Sequence, residues 1–307
     1  MTRCETTKIH QIGSSGRDCS GIRWLALQSC SSEPLRRITV LHTNDVHSHI
    51  DPFPPSHPNF ANLGGVARRA TLIESIRQEN PDTLLLDAGD IFQGTPYFNF
   101  YGGELEFRLM NRMGYQAATL GNHDFDNGLS GLLAQMPNAS FSFLSANYNF
   151  ENTLLEGRVE PYEVFVRNGV RIGVFGLGIR LHGLVLKELY GETKYLDPVE
   201  IARDMSGILR EEEYCDLVIC LSHLGHSYEN PDRVSDQVLA ASTENIDLII
   251  GGHTHTFMEQ AEEITNRAGK TVLIQQVGCY GVRLGRVDFE VSATGRVDRT
   301  ASAALVV

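Results

Sequence analysis

The stretch Leu120-Gly121-Asn122-His123-Asp124-Phe125-Asp126 concentrates three kinds of polar chemistry behind an apolar run, Ala117 to Leu120. An Asn carbonyl can ligate a metal. An imidazole can ligate or move protons, and a carboxylate can orient it. The apolar run reads as a buried strand, and Gly121 would let the chain turn sharply where that strand ends. Taken alone, the stretch fits a helix-capping loop equally well, because Asn and Asp favour such places.

Four further blocks change the balance. Asp45 with His47, Asp90, His223 with His226, and His253 with His255 each follow an apolar, strand-like run. Six of the 11 histidines fall in these five blocks. An isolated histidine ordinarily belongs to a core or a surface. Five blocks of hard or borderline ligands at strand ends are what an α/β sheet uses to build a site. No cysteine joins them, which disfavours a structural zinc knot. Carboxylate, imidazole and amide ligands suit Mn, Zn, Fe, Co or Mg ions, and there are enough of them for two ions.

The elements that must position these residues follow in order. Ile38 to Thr43 alternates and is β-branched, which marks a strand. A Pro-rich loop, Asp51 to Pro58, precedes Gly64-Gly65 and a helix predicted over Val66 to Gln78, stopped by Asn80-Pro81. Thr83 to Leu86 reads as a buried strand that delivers Asp87-Ala88-Gly89-Asp90 into a loop. A helix over Glu104 to Met113 ends at Gly114, a short helix covers Leu129 to Gln135, and Phe141 to Leu144 is a strand. This alternation marks an α/β domain. In the second half, Asn168-Gly169 joins Tyr162–Arg167 to Val170–Phe175 as a hairpin. Helices are predicted over Val199 to Glu212 and Val234 to Ala241, and strands over Leu217 to Leu221 and Ile246 to Ile250. The tail, Val272 to Val306, reads as three or four antiparallel strands.

At 307 residues, with 42% hydrophobic and 21% charged residues, the chain is long enough for one large globular domain. There is no internal repeat and no linker, so one domain is expected over residues 36–307. Residues 1–35 are polar, rich in Ser, Gly and Cys, and read as a flexible leader or a processed segment. Within them, Leu27-Gln28-Ser29-Cys30 resembles a bacterial lipoprotein cleavage box behind a short apolar region. That favours a periplasmic or lipid-anchored extracytoplasmic location over a cytoplasmic one. The net charge of −12 argues against a nucleic-acid partner, and no apolar run is long enough to span a bilayer. Cys215, Cys220 and Cys279 lie in or beside apolar segments and read as small core residues.

The order Asp-x-His, Gly-Asp, Gly-Asn-His-Asp, His, Gly-His-x-His resembles the calcineurin-like metallophosphoesterases. The finer wording resembles the catalytic, N-terminal domain of the 5′-nucleotidase and UDP-sugar hydrolase family. It includes Thr43-Asn44-Asp45-Val46-His47, Gly64-Gly65-Val66-Ala67-Arg68 and Gly89-Asp90-Ile91-Phe92-Gln93-Gly94-Thr95. Gly121-Asn122-His123-Asp124-Phe125-Asp126, Ser145-Ala146-Asn147 and Gly252-His253-Thr254-His255 complete it. The resemblance implies a four-layer α/β/β/α sandwich with two mixed sheets and a dinuclear metal centre. It puts Asp45, His47 and His255 on one divalent ion, Asn122, His223 and His253 on the other, and Asp90 between them. His123 is then the catalytic imidazole and Asp126 its holder. Asp124 orients the loop, and His226 supports rather than ligates. The implied reaction is hydrolysis of phosphate monoesters in nucleotide catabolism.

Alternatives are a phosphodiesterase or pyrophosphatase acting on UDP-sugars or cyclic nucleotides, and a non-catalytic metal- or partner-binding protein on the same scaffold. The family's two-domain members carry a C-terminal nucleoside-binding domain. This sequence has no evident aromatic pair in a ligand-binding context, so either a separate chain supplies that domain as a partner or the substrate is something simpler than a nucleotide. If a base pocket lay within this chain, the Pro-rich loop and the segment from Gln93 to Tyr101 would be the places to find it.

Overall fold

The computed structural model describes residues 35–230, 232–292 and 297–307; the expected leader lies, but for Leu35, outside the described residues. In chain order the first half contains β1 (Arg36–Thr43), α1 (Val66–Glu79), β2 (Leu84–Asp87), α2 (Pro96–Tyr101), α3 (Glu104–Met113), β3 (Ala117–Thr119), α4 (Gly128–Gln135) and β4 (Ser142–Leu144). After β5 (Tyr148–Asn149) come β6 (Tyr162–Arg167), β7 (Val170–Leu177), α5 (Lys187–Tyr190), β8 (Lys194–Tyr195), α6 (Pro198–Glu211) and β9 (Leu217–Ser222). The chain continues with α7 (Asp236–Ser242), β10 (Leu248–Gly251), β11 (Glu262–Thr265), β12 (Thr271–Gln275), β13 (Arg283–Val291) and β14 (Val297–Val306).

Two six-stranded sheets result, ordered β14-β13-β1-β2-β3-β4 and β11-β12-β10-β9-β7-β6, with β5 and β8 as a small separate pair. Both sheets are mixed. β1 to β4 run parallel, β13 runs antiparallel to β1, and β14 antiparallel to β13; β7, β9, β10 and β12 run parallel, and β6 and β11 antiparallel.

The side-chain alternation of each strand divides it between two cores. Val40, Leu84 and Leu86 of the first sheet meet Val174, Ile219, Leu221, Leu248 and Ile250 of the second, forming the layer between the sheets. Leu41, Leu85 and Ala118 face the opposite way, onto Ile73, Phe107 and Leu132 of α1, α3 and α4. Phe175, Val218, Cys220 and Ile249 pack under Ala202, Leu209 and Leu239 of α6 and α7. This is the expected four-layer α/β/β/α sandwich. A continuous apolar strand such as Leu84-Leu85-Leu86 is what a sheet covered on both faces requires.

Local signals act where they were read. Asn168 and Gly169 take φ of 48° and 70°, the pair of left-handed residues that closes a two-residue hairpin. α6 starts at Pro198, one residue earlier than predicted, because Asp197 accepts from the Val199 and Glu200 amides at 2.9 and 3.0 Å. α7 starts two residues later than predicted, because Ser235 is its cap. The tail departs from the prediction. β12 pairs parallel with β10 in the second sheet, and only then does the chain cross to the first sheet as β13 and β14. Alternation reports a strand but not its partner, so direction was invisible locally.

Polar contacts cross the central layer through Gln275, which donates to the Ala303 carbonyl of β14 at 3.1 Å. Fully buried His42, on β1, donates through Nε2 to Gln275 Oε1 of β12 at 3.2 Å. Burial pushes its pKa from 6.5 down to about 4, against the opposing Gln275 hydrogen bond. The unfolded chain therefore binds a proton that the folded chain refuses. Stability should fall as pH drops from 6.5 toward 4, by up to about 3 kcal/mol from this residue alone. Urea unfolding across that range should show a flatter acid limb for His42→Leu than for the wild type, whatever their difference at pH 7.5; parallel limbs would remove His42 as the cause.

Candidate metal centre and active site

The carboxyl ends of parallel strands share one edge, and five of them carry the predicted blocks. β1 leads into Asp45 and His47, β2 into Asp90, β3 into Asn122, His123 and Asp126, β9 into His223, and β10 into His253 and His255. The two sheets bring all of these together. Asp45, His47 and His255 present ligand-type atoms within 4.8 Å of one another, and so do Asp90, His223 and His253. Asp45 Oδ1 lies 3.9 Å from His223 Nε2, so the two groups adjoin. Asn122 Oδ1 lies 2.9 Å from His253 Nδ1. The His47 and His123 ring centroids are 5.3 Å apart.

The imidazole tautomers follow from their partners. His47 Nδ1 donates to the Phe92 carbonyl at 3.1 Å, and His223 Nδ1 to the Ala88 carbonyl at 2.7 Å. Each ring therefore turns a bare Nε2 toward the cluster. His47 Nε2 lies 3.0 Å from His255 Nε2. His223 Nε2 is fully buried and 3.1 Å from Asp90 Oδ2, yet off the line of a hydrogen bond. Buried lone pairs that converge in this way fit divalent cations. The charge balance points the same way. Burial lowers the pKa of His223, but the Asp90 carboxylate outweighs it and pushes the value up to about 10. The site thus demands positive charge at Nε2, which a proton or a metal ion would equally supply. Burial pushes His253 down to about 4, with the His223 charge adding to it.

His123 is set apart from these. Its Nδ1 lies 3.0 Å from Asp126 Oδ2. That hydrogen bond raises its pKa above the usual value despite partial burial. Its backbone N–H donates to Asp90 Oδ1 at 2.8 Å.

The backbone that carries these groups is strained. Asp45, His47, Asp90, His253 and His255 have φ between 48° and 71°, a region costing roughly 1–3 kcal/mol for each non-glycine residue. Supporting contacts hold them there. Asp124 accepts from the amides of Asp90, Ile91, Phe92 and Gly121 at 2.8–3.3 Å, which orients both loops. Asn44 donates to Asp45 Oδ2 and to the Gly278 carbonyl, both at 2.7 Å. Gln276 donates to the Gly252 carbonyl at 2.7 Å and accepts from the Thr256 amide at 3.0 Å. His226 pairs with Glu262 at 2.7 Å and belongs to neither ligand group.

One reading of the sequence gains a different physical reason, and another needs correction. Gly121 does not have a left-handed φ. It is required by close approach instead, since a Cβ there would overlap Asp90 Oδ1. An aromatic group does exist beside the cluster. Phe53 of the Pro-rich loop and Phe60 just after it meet His49 and Tyr280, and the Tyr280 ring lies 5.9 Å from that of His47. More than 200 positions separate Tyr280 from that loop, so no local pattern announced it. Asp236 and Gln276, which support the His253 loop, were also missed, and nothing in their spacing could have found them.

A four-layer sandwich with carboxylates and imidazoles converging at one sheet edge is the architecture of a metallophosphoesterase. The chain matches the calcineurin-like phosphoesterase family over residues 38–257, and it belongs to that family. It is 32% identical to the trifunctional nucleotide phosphoesterase protein YfkN of Bacillus subtilis (strain 168) over 327 aligned positions, covering 94% of this chain and 21% of that protein. It is 35% identical over 228 positions to the snake venom 5′-nucleotidase of Crotalus adamanteus, covering 72% and 37%. Its fold superimposes on the crystal structure of a 5′-nucleotidase precursor from Thermus thermophilus with a TM-score of 0.79 and 31% identity, covering 88% and 54%. The chain spans between 21% and 51% of the length of the curated relatives it matches.

Gly121→Ala should displace Asp90 and lower divalent-metal affinity at least tenfold, with far-UV circular dichroism unchanged. Wild-type affinity in that variant, measured by calorimetric titration with Mn²⁺, would mean that Asp90 tolerates the shift.

Proposed function

We propose that residues 36–307 form the catalytic domain of a two-metal phosphomonoesterase of the 5′-nucleotidase type. The observation that carries this reading is the pair of ligand groups, Asp45/His47/His255 and Asp90/His223/His253, drawn together beside the His123–Asp126 pair. Asp45, His47 and His255 would hold one divalent ion, Asn122, His223 and His253 the other, and Asp90 would bridge them. Mn, Zn, Co or Fe, or Mg, suits such a donor set. Bound there, divalent ions acidify water and neutralise phosphate charge.

The chain's own groups do the rest. Asp126 takes the Nδ1 proton of His123 as a hydrogen bond, which keeps the ring protonated and leaves Nε2–H as the proton-bearing edge. That edge can stabilise the phosphate oxygens or protonate the leaving oxygen. The Asp90 carboxylate fixes the His123 backbone, so the imidazole and the bridging position move as one unit.

Nucleotides are the proposed substrates, supported by the matched 5′-nucleotidases. Metal ions recognise phosphate and say little about the base. Base recognition is assigned to a nucleoside-binding domain of the family's C-terminal type, in the same polypeptide or in a separate chain. A periplasmic or lipid-anchored extracytoplasmic location is proposed from the composition of residues 1–35; among the described residues no helix is long and apolar enough to cross a membrane.

Metal-stripped protein should be inactive toward p-nitrophenyl phosphate and regain turnover with Mn²⁺ or Co²⁺. Absence of turnover in the metal-loaded chain would favour a non-catalytic binding role instead. Asp90→Asn should be the most damaging ligand substitution, and normal turnover with two metals per chain in that variant would refute the bridging assignment. His123→Ala should keep both metals yet lose about two to four orders of magnitude in kcat, and Asp126→Asn should lose less. Metal loss from His123→Ala would make that residue a ligand.

A further inference from the structure

A sixth strand end reaches the same edge. β7 closes at Leu177 and delivers Ile179 and Arg180 into the loop that follows. Asn147, from the Ser145-Ala146-Asn147 block, clamps that loop: it donates to the Gly178 carbonyl at 2.8 Å and accepts from the Gly178 amide at 2.7 Å. Between this loop and the one after β9 lies a cavity of about 650 Å³, lined by Arg180, His182, Tyr195, Leu224, Asn230 and Arg233 among others. That volume suits a small organic ligand.

The cavity adjoins the metal centre. Arg233 Nη2 lies 3.3 Å from His253 Nε2, and Leu224 directly follows His223. Its two guanidinium groups are placed by their flat faces. Arg233 sits over the Tyr228 ring at 3.7 Å, and Arg180 over the Tyr195 ring at 5.2 Å. Tyr228 is itself fixed, since its hydroxyl donates to the Leu224 carbonyl at 2.5 Å. Its ring also occupies space that any Cβ on Gly225 would need. A guanidinium held by its face keeps its N–H edges available, and Arg233 turns one of them, Nη2, toward His253. Among the described residues neither arginine forms an ion pair. Of the carboxylates on the wall, Asp197 is spent on capping α6, and Asp232 pairs with neither arginine. In a chain of net charge −12, the two arginines offset the two carboxylates of the wall, Asp197 and Asp232, and put two cations beside a candidate phosphate site.

We propose that this Arg180–Arg233 cavity is a subsite for a second phosphate group carried by the substrate, next to the one being hydrolysed. The inference rests on the phosphoesterase reading above and deepens it. A phosphate dianion offers three oxygens to two arginine forks, the geometry in which bidentate recognition is strongest. The second phosphate can come from a 3′-phosphate on the ribose or from the outer phosphate of a 5′-diphosphate. A 3′-phosphate in the cavity leaves the hydrolysed bond a monoester, whereas with the diphosphate water attacks the inner phosphorus and the P–O–P anhydride breaks, releasing the outer phosphate; in both the cavity only binds.

The test compares kcat/KM for p-nitrophenyl phosphate, adenosine 5′-monophosphate, adenosine 3′,5′-bisphosphate and adenosine 5′-diphosphate, using the metal-loaded full chain. Exposed Arg180 is changed to Gln and to Lys, with melting temperatures to verify folding. The expected result is at least a tenfold fall in the ratio of bisphosphate or diphosphate to p-nitrophenyl phosphate for Arg180→Gln, seen mainly in KM, with partial recovery in Arg180→Lys. The substrate whose ratio falls identifies the source of the second phosphate. Equal effects on all four substrates, or none, would overturn the subsite. Absence of turnover of p-nitrophenyl phosphate by the unmodified chain would instead overturn the phosphoesterase reading on which it rests.

Discussion

One buried carboxylate holds the centre of this molecule together. Asp124 accepts four backbone amides, three from the loop after β2 and one from the loop after β3. Hydrogen bonds to a charged acceptor contribute about 1.5–3 kcal/mol each. Burial, and the charge of Asp90 nearby, push the Asp124 pKa up to about 7. The four donors oppose that pressure, since only the ionised carboxylate accepts from all of them. Two loops are thereby locked in register, and Asp90, Asn122 and His123 are carried on them. Without that lock, Asp90 would have no fixed position between the two ligand groups.

The same economy of space appears in the glycines. Gly89 and Gly121 approach so closely that a Cβ on Gly89 would come within 2.6 Å of the Gly121 amide. A Cβ on Gly252 would come within 2.8 Å of the His223 ring. Side chains are excluded so that chemically active groups on neighbouring strands can meet. Left-handed backbone at Asp45, His47, Asp90, His253 and His255 aims those groups inward instead of along the strand direction. Such strain persists only where the surroundings over-determine it. Here the two sheets, packed through a common apolar layer, supply that determination.

The second sheet contributes in the same manner from the other side. Ser222 donates to Asp236 Oδ1 at 2.5 Å, and Gln276 donates to Asp236 Oδ2 at 3.3 Å. Gln276 then reaches the Gly252 carbonyl, and Thr254 donates to Gln276 at 3.2 Å. This buried polar network ties the ends of β9, β10 and β12 into one rim. A network of this kind specifies one arrangement because each member left unpaired would cost desolvation energy. The rim also carries Cys279 and Tyr280 to the cluster, where the Tyr280 amide donates to the Asp45 carbonyl at 2.7 Å.

Much of this was legible in the sequence for local reasons. Apolar runs of three to six residues marked the strands, Asn168-Gly169 marked a hairpin, and Gly114 marked a helix end. Metal-type residues stood at strand ends because that is where an α/β sheet exposes them. The residue types alone restricted the chemistry to hard and borderline cations. What stayed hidden was set by contacts between distant positions. The parallel direction of β12 depends on β10, the need for glycine at 121 depends on the Asp90 side chain, and the aromatic group depends on Tyr280 meeting a loop more than 200 residues away. The arginine-lined cavity depends on two strand-end loops that no local pattern links. Composition and periodicity therefore determined which elements form and which side chains could do chemistry. Only the tertiary structure decided which of them face one another, because pairing and close approach arise between segments whose separation along the chain carries no local signal.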